Sequence, residues 1–210
     1  KIRGVNSALS SDNSDAANQY AAYGQFESFD SDGFTVGVGT NTDGTQGYGT
    51  NQNSQSIASW NWKANGAGSA NTDGSISSTV SASATSGFSI VKYTAGSSGA
   101  NTDTIGHGLG VIPQMIILKT TTATDSWVVY HHSNGAGKSM VLNSTTAVAT
   151  NSNIFPTTPT SSVFYPGNTA TTNSSSRSYI AYCFADVKGF SKFSSYIGNG
   201  STDGTFCYTG

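Results

Sequence analysis

Apolar residues fall in short runs rich in Val, Ile, Thr, Tyr, Phe and Trp, set between clusters of Gly, Ser, Asn and Asp. Such a pattern predicts strands and turns rather than helices. The clearest strands are 88–93, 127–130 and 140–142, together with Met115-Ile116-Ile117-Leu118 behind Pro113, which is apolar on both faces and so reads as a central strand. Between 179 and 185, Tyr179, Ala181, Cys183 and Ala185 alternate with Ile180, Tyr182 and Phe184. The second set places two aromatics on one face, which is predicted to be core. Residues 75–86 carry Ile76, Val80, Ala82 and Ala84 in even alternation, the mark of an edge strand with one polar face. The stretch 65–74 before it reads as a turn or connector. Asp43-Gly44, Asp73-Gly74, Asn134-Gly135, Asn199-Gly200 and Asp203-Gly204 supply pairs that accept the positive φ of tight hairpin turns.

The runs also recur. Gly87-Phe88-Ser89-Ile90 returns as Gly189-Phe190-Ser191-Lys192, and the aromatic alternation of Trp60-Asn61-Trp62 returns at Tyr182-Cys183-Phe184. Gly33-Phe34-Thr35-Val36-Gly37 aligns with Val163-Phe164-Tyr165-Pro166-Gly167, and Leu9-Ser10-Ser11 with Leu142-Asn143-Ser144. Anchors kept in order predict a tandem internal repeat. Residues 1–86 are expected to hold the latter part of a first β-sandwich unit plus a Gly/Ser/Asn linker, and 87–210 a second unit plus the opening strands of a third. The expected fold is an antiparallel β-sandwich of jelly-roll or lectin-like type, with an Ig-like sandwich as the alternative.

Charge sharpens the picture. Only 10% of residues are charged and the net charge is −2, with basic residues scattered singly, so neither nucleic acid nor an anionic membrane finds a footprint. No apolar run reaches the length of a membrane helix, and no membrane insertion is expected. An aromatic content of 11% supplies the apolar area that a disordered chain lacks. Lys1 in place of an initiator Met suggests an excerpt of a longer or processed polypeptide. Cys183 and Cys207 are too few for a disulfide scaffold; two semi-buried free thiols are expected, with one bridge between neighbouring strands as the alternative.

Gly87-Phe88-Ser89-Ile90-Val91-Lys92-Tyr93, the element Gly106-His107-Gly108-Leu109-Gly110-Val111-Ile112-Pro113, Trp127-Val128-Val129-Tyr130-His131, and Tyr179 through Phe193 together resemble a repeat domain of tail-fibre-like and other virion-associated proteins of marine phages. The resemblance implies a virion or extracellular location, a lectin-like sandwich and a structural or adhesive role. Its implied partners are other copies or other virion proteins, and a host surface glycan. It carries no catalytic residues over. A capsid-decoration or filament-forming protein is the alternative, and a carbohydrate-active enzyme a third reading.

Candidate chemistry is sparse. His107, flanked by glycines, is expected to bond a backbone group rather than serve a nucleophile. His131 and His132 are expected to point to opposite faces and not to share a metal. Asp30-Ser31-Asp32-Gly33 lacks the later ligands of a calcium loop and reads as a turn before the Phe34 strand. No cofactor or metal is expected; Asn- and Asp-rich loops could hold calcium at a sandwich rim, without a residue set to name. The Asp side chains lie in Gly/Ser/Asn turns and form no acid pair for glycoside hydrolysis. Most aromatics, including Trp60, Trp62, Trp127, Tyr130 and Tyr182, occupy strand positions suited to core packing. Tyr48 and Tyr165, in polar loops, are the candidate ligand-binding residues.

Overall fold

A computed structural model describes residues 2–5, 7–18, 22, 24–39, 50, 51, 53–96 and 100–209. The architecture is all-β and antiparallel. Strands β1 (Gln25–Phe29) and β2 (Phe34–Gly37) form a hairpin closed by the turn at Asp30, whose N–H donates to Gly33 O at 3.0 Å. Then come β3 (Ser69–Asn71), β4 (Ser78–Ser83), β5 (Phe88–Thr94), β6 (Ile105–Gly106), β7 (Met115–Thr120), β8 (Val128–His131), β9 (Lys138–Val141), β10 (Ala149–Thr150), β11 (Val163–Phe164), the one-turn helix α1 (Ala170–Asn173) and β12 (Ser178–Phe184). One eight-stranded sheet runs β10-β9-β8-β7-β12-β5-β4-β3, and β6 pairs with β11 in a small second sheet. This layout of a large antiparallel sheet and smaller ones is consistent with a β-sandwich.

The apolar run at Met115 does take a central place, because β7 pairs with β12 on one side and β8 on the other. Strand alternation and the pairing register sort the side chains of this sheet into two faces. One face carries Val80, Val91, Tyr93, Ile116, Leu118, Val128, Tyr130, Tyr179, Ala181 and Cys183, all buried, packed under Ile105, Leu109, Phe155 and Phe164. At this level the expectation for β12 is corrected. The main core gathers on the Tyr179, Ala181 and Cys183 face, since that face receives the layer built from residues 105–109 and 154–164. Ile180 and Phe184 on the other face are buried too, while Tyr182 is half-buried.

Three further expectations change. Residues 65–74 contain β3, so β4 is not the edge of the sheet. The sheet runs without interruption across position 86, where β4 pairs with β5, so the two sides of the expected boundary share hydrogen bonds. Asn199-Gly200 and Asp203-Gly204 close no hairpin, as no strand flanks them. Asp43-Gly44 lies outside the described residues.

The N-terminal segment is sewn to the sheet by polar contacts. Ala17 N–H donates to Thr121 O at 3.1 Å, Asp125 N–H to Ser14 O at 2.8 Å, and Trp127 Nε1–H to Ser10 O at 2.9 Å. Lys119, on β7, is fully buried and reaches the same segment: its Nζ donates to Thr120 O at 2.9 Å, Ser14 O at 3.2 Å and Ala123 O at 3.4 Å. A buried ammonium is tolerated because carbonyl oxygens surround it.

Candidate functional site

The face of the sheet turned away from the main core carries a chain of aromatic rings. Phe88 on β5 lies 5.0 Å from Phe184 on β12, and Tyr182 stacks at 6.5 Å from Phe88 and at 6.4 Å from Trp127. Trp62 meets Phe88 at 6.3 Å and Phe184 at 6.0 Å, and Phe193 meets Phe184 at 5.4 Å. The strip exists because β5 and β12 pair Phe88 with Phe184 directly, bringing two rings to adjacent positions. Yet it is only partly roofed. Trp62 is still 59% exposed, and Trp60 beside it in the chain is 78% exposed. Beyond Phe193 the chain runs without strand or helix to residue 209 and displays Tyr196, Ile197, Phe206 and Tyr208, each at least 72% exposed.

Trp60 and Trp62 therefore depart from the expected core positions. Residues 55–65 form no strand among the described residues, so no sheet face is there to bury them. Trp127, Tyr130 and Tyr182 do pack in or beside the sheet, Trp127 and Tyr130 being buried. Of the two ligand candidates, Tyr48 lies outside the described residues. Tyr165 is half-buried just after β11, in the layer that covers the opposite face of the sheet, apart from the aromatic strip.

The ionisable side chains take structural roles. His107 is fully buried; its Nε2 pairs with Thr160 O at 3.1 Å, and its Nδ1 accepts from Leu109 N–H at 3.3 Å. These contacts fix the neutral tautomer with the proton on Nε2, and burial holds its pKa below the usual imidazole value. Gly108, at φ +68°, makes the turn that brings Leu109 N–H back to the ring. His131 and His132 correct the expectation of opposite faces. Their ring centroids lie 5.0 Å apart, because β8 ends at His131 and strand alternation lapses at the next residue. His132 Nε2 pairs with Phe193 O at 2.9 Å, and Asp186 beside this pair holds Lys192 and accepts from Phe193 N–H at 2.8 Å. Among the described residues no three His, Cys, Asp or Glu side chains gather as metal ligands. Asp30 accepts from Ser28 and Thr35 hydroxyls, as suits a turn. Both cysteines are free thiols, but neither is semi-buried as expected: Cys183 is buried in the sheet on β12, and Cys207, beyond the last strand, is exposed.

The face bearing the strip also carries a groove of about 200 Å³ lined by Arg3, Ser7, Ala17, Lys92 and Thr121. Sequence reading missed this groove and Lys119, since both depend on residues more than 100 positions apart meeting in space. No helix among the described residues is long and apolar enough to cross a membrane.

The model of a family described as Domain of unknown function (DUF7483) matches residues 1–210. No curated protein and no solved structure matches the chain.

Proposed function

The chain belongs to that family, and from its surface we propose that it is a non-catalytic contact module of a virion appendage, binding other proteins of the particle through its aromatic strip and the segment after Phe193. The observation that carries this reading is the run of exposed rings and aliphatic side chains, from Trp60 at 78% to Ile197 at 87% and Phe206 at 86%. Large apolar side chains left this exposed mark surface meant for another macromolecule. The likeness to tail-fibre-like repeats supports the same reading. A chain whose surface is coated with hydroxyls and amides, with few charges, makes many short-range contacts and little long-range steering.

Host glycan binding is the finer part of the proposal. Trp60 presents an exposed ring able to stack on a sugar face, and Ser and Asn neighbours such as Ser59 and Asn61 supply hydroxyl and amide groups around it.

Sedimentation over a hundredfold range of concentration tests the protein-contact reading. The expected result is self-association, or capture of a co-produced particle protein, that weakens when Phe190, Ile197 and Phe206 are replaced by Ser. A chain that stays monomeric and binds neither particle proteins nor any host surface fraction would remove the proposal. Loss of host binding in Trp60→Ala, with association intact, is the expected signature of the glycan part.

A further inference from the structure

We propose that Asn101, Asp103 and Asn173 form a calcium-binding site where the loop between β5 and β6 meets the end of helix α1. The site is independent of the contact surface proposed above. Its core is a tight turn: Asp103 N–H donates to Ala100 O at 3.1 Å, and Asp103 Oδ2 accepts from Ala100 N–H at 2.9 Å. Asn173, fully buried, closes on this turn, its Nδ2 donating to Asp103 Oδ2 at 2.8 Å and to Ala100 O at 3.5 Å. Asn101, inside the turn, donates its Nδ2 to Asn153 Oδ1 at 2.9 Å.

Both amides thereby spend their N–H groups on the protein and leave their oxygens over. Asn101 Oδ1 and Asn173 Oδ1 are buried and accept no hydrogen bond from the protein. Buried acceptors are nearly always satisfied, so one orphan on this turn and another on the helix residue that closes onto it call for a missing partner. Asp103 adds a negative charge at the same place; both of its hydrogen bonds fall on Oδ2, leaving Oδ1 for another partner. Neither of the ion pairs among the described residues involves Asp103. A partner that satisfies two amide oxygens and a carboxylate at once is a hard cation.

The donor set chooses the ion. All three side chains offer oxygen, with no imidazole or thiolate, which excludes a preference for zinc or copper. Calcium accepts neutral carbonyl oxygens in a flexible sphere completed by water, whereas magnesium demands a strict octahedron and keeps its own waters. With a single carboxylate the affinity should be modest, on the order of 10⁻⁴–10⁻³ M, as in extracellular calcium modules.

Two tyrosines make the site visible. Tyr93 Oη–H donates to Thr172 O at 2.5 Å, and Ser174 N–H donates to Tyr179 Oη at 2.8 Å, so both rings flank Asn173. Terbium bound there should emit under tyrosine excitation and be displaced by calcium. The whole chain is titrated with terbium, then calcium or magnesium, and its thermal midpoint is read with calcium and with a chelator. Calcium should raise the midpoint, and Asp103→Asn should lose about tenfold or more in affinity. Asn101→Asp guards against a variant that merely unfolds: it sacrifices the bond to Asn153 but adds a ligand charge, and should tighten calcium by about tenfold. Terbium emission absent, or unchanged in Asp103→Asn, would overturn the site. So would an Asn101→Asp protein that gains no affinity, since water alone would then fill the two amide oxygens.

Discussion

Lys119 offers a sharp test of how this fold tolerates charge. Its side chain is fully buried on the central strand β7, and of its three carbonyl contacts the bond to Thr120 O is the shortest at 2.9 Å, that to Ser14 O sits at the long end of the ordinary range at 3.2 Å, and that to Ala123 O is longer still at 3.4 Å. One good bond from a charged donor is worth about 1.5–3 kcal/mol, while removing an ammonium from water costs several kcal/mol. The two effects come close to cancelling. Lys119→Met keeps the stem and discards both, so global stability should move by less than about 2 kcal/mol in either direction. Lys119→Ala also empties the volume of the stem and should lose about 2–5 kcal/mol. In Lys119→Met the damage should instead be local, with faster hydrogen exchange at residues 7–18, because Ser14 O loses one of its donors. The pH adds an independent check. Burial holds the pKa of Lys119 below its usual value, against the opposing pull of Asp125 and Asp15. A lysine with a lowered folded pKa leaves the unfolded chain binding more protons, so its contribution to stability rises with pH toward about 10.4. Urea unfolding at about pH 7 and about pH 9.5 should show the native protein gaining on Lys119→Met at the higher pH. Equal losses of more than about 4 kcal/mol in the Met and Ala variants would refute the balance drawn here.

His107 should make the fold acid-sensitive. Burial lowers its pKa, so the unfolded chain takes up the proton first, and stability falls as pH drops below about 6.5; urea midpoints across that range should flatten in His107→Gln, with the residual slope from His131, whose pKa burial also lowers. Burial pushes the Cys183 thiol up to about 12, while Cys207 is exposed, so native protein should react with one equivalent of a thiol reagent and unfolded protein with two. Two equivalents titrating at once in native protein would contradict the buried position. Trp127→Phe keeps the ring contact with Tyr182 but deletes the bond to Ser10 O, which should cost about 1 kcal/mol and expose residues 7–18 to proteolysis.

The strands of the main sheet were legible because they carry their own signals. Residues 88–93, Met115-Ile116-Ile117-Leu118 and 179–185 became β5, β7 and β12 within a residue or two at each end, since side-chain alternation and β-branched content act locally. His107 was legible for a similar reason: the glycines beside it permit the turn that closes onto its own ring. What escaped was whatever depends on the partner. β6 and β11 are two residues each and become strands only by pairing with one another. α1 spans a single turn of Ala170, Thr171, Thr172 and Asn173, with no apolar stripe to announce it. The same dependence explains why similar sequence anchors end differently. Phe34 pairs within the β1–β2 hairpin, whereas Phe164, its counterpart, is buried against Tyr93 at 6.3 Å.

Trp62 and Phe184 carry that lesson to the candidate site. The two hold matching positions in the similar aromatic alternations at 60–62 and 182–184, yet Phe184 lies between β5 and β7 at 7% exposure while Trp62 lies outside any strand at 59%. A strand's aromatic is buried by its neighbours rather than by its own sequence, and a ring without neighbours becomes surface available for contact. Here the two consequences meet, because Trp62 covers part of Phe184 at 6.0 Å and leaves its own outer face to solvent. Trimming it to Ala would therefore act twice: uncovering Phe88 and Phe184 costs stability, and removing the outer ring costs binding. Trp60→Ala, with a ring 78% exposed, should touch only the second. Comparing the two variants in unfolding and in binding to a host surface fraction separates the scaffold from the contact surface, and equal stability losses would place Trp60 in the scaffold as well.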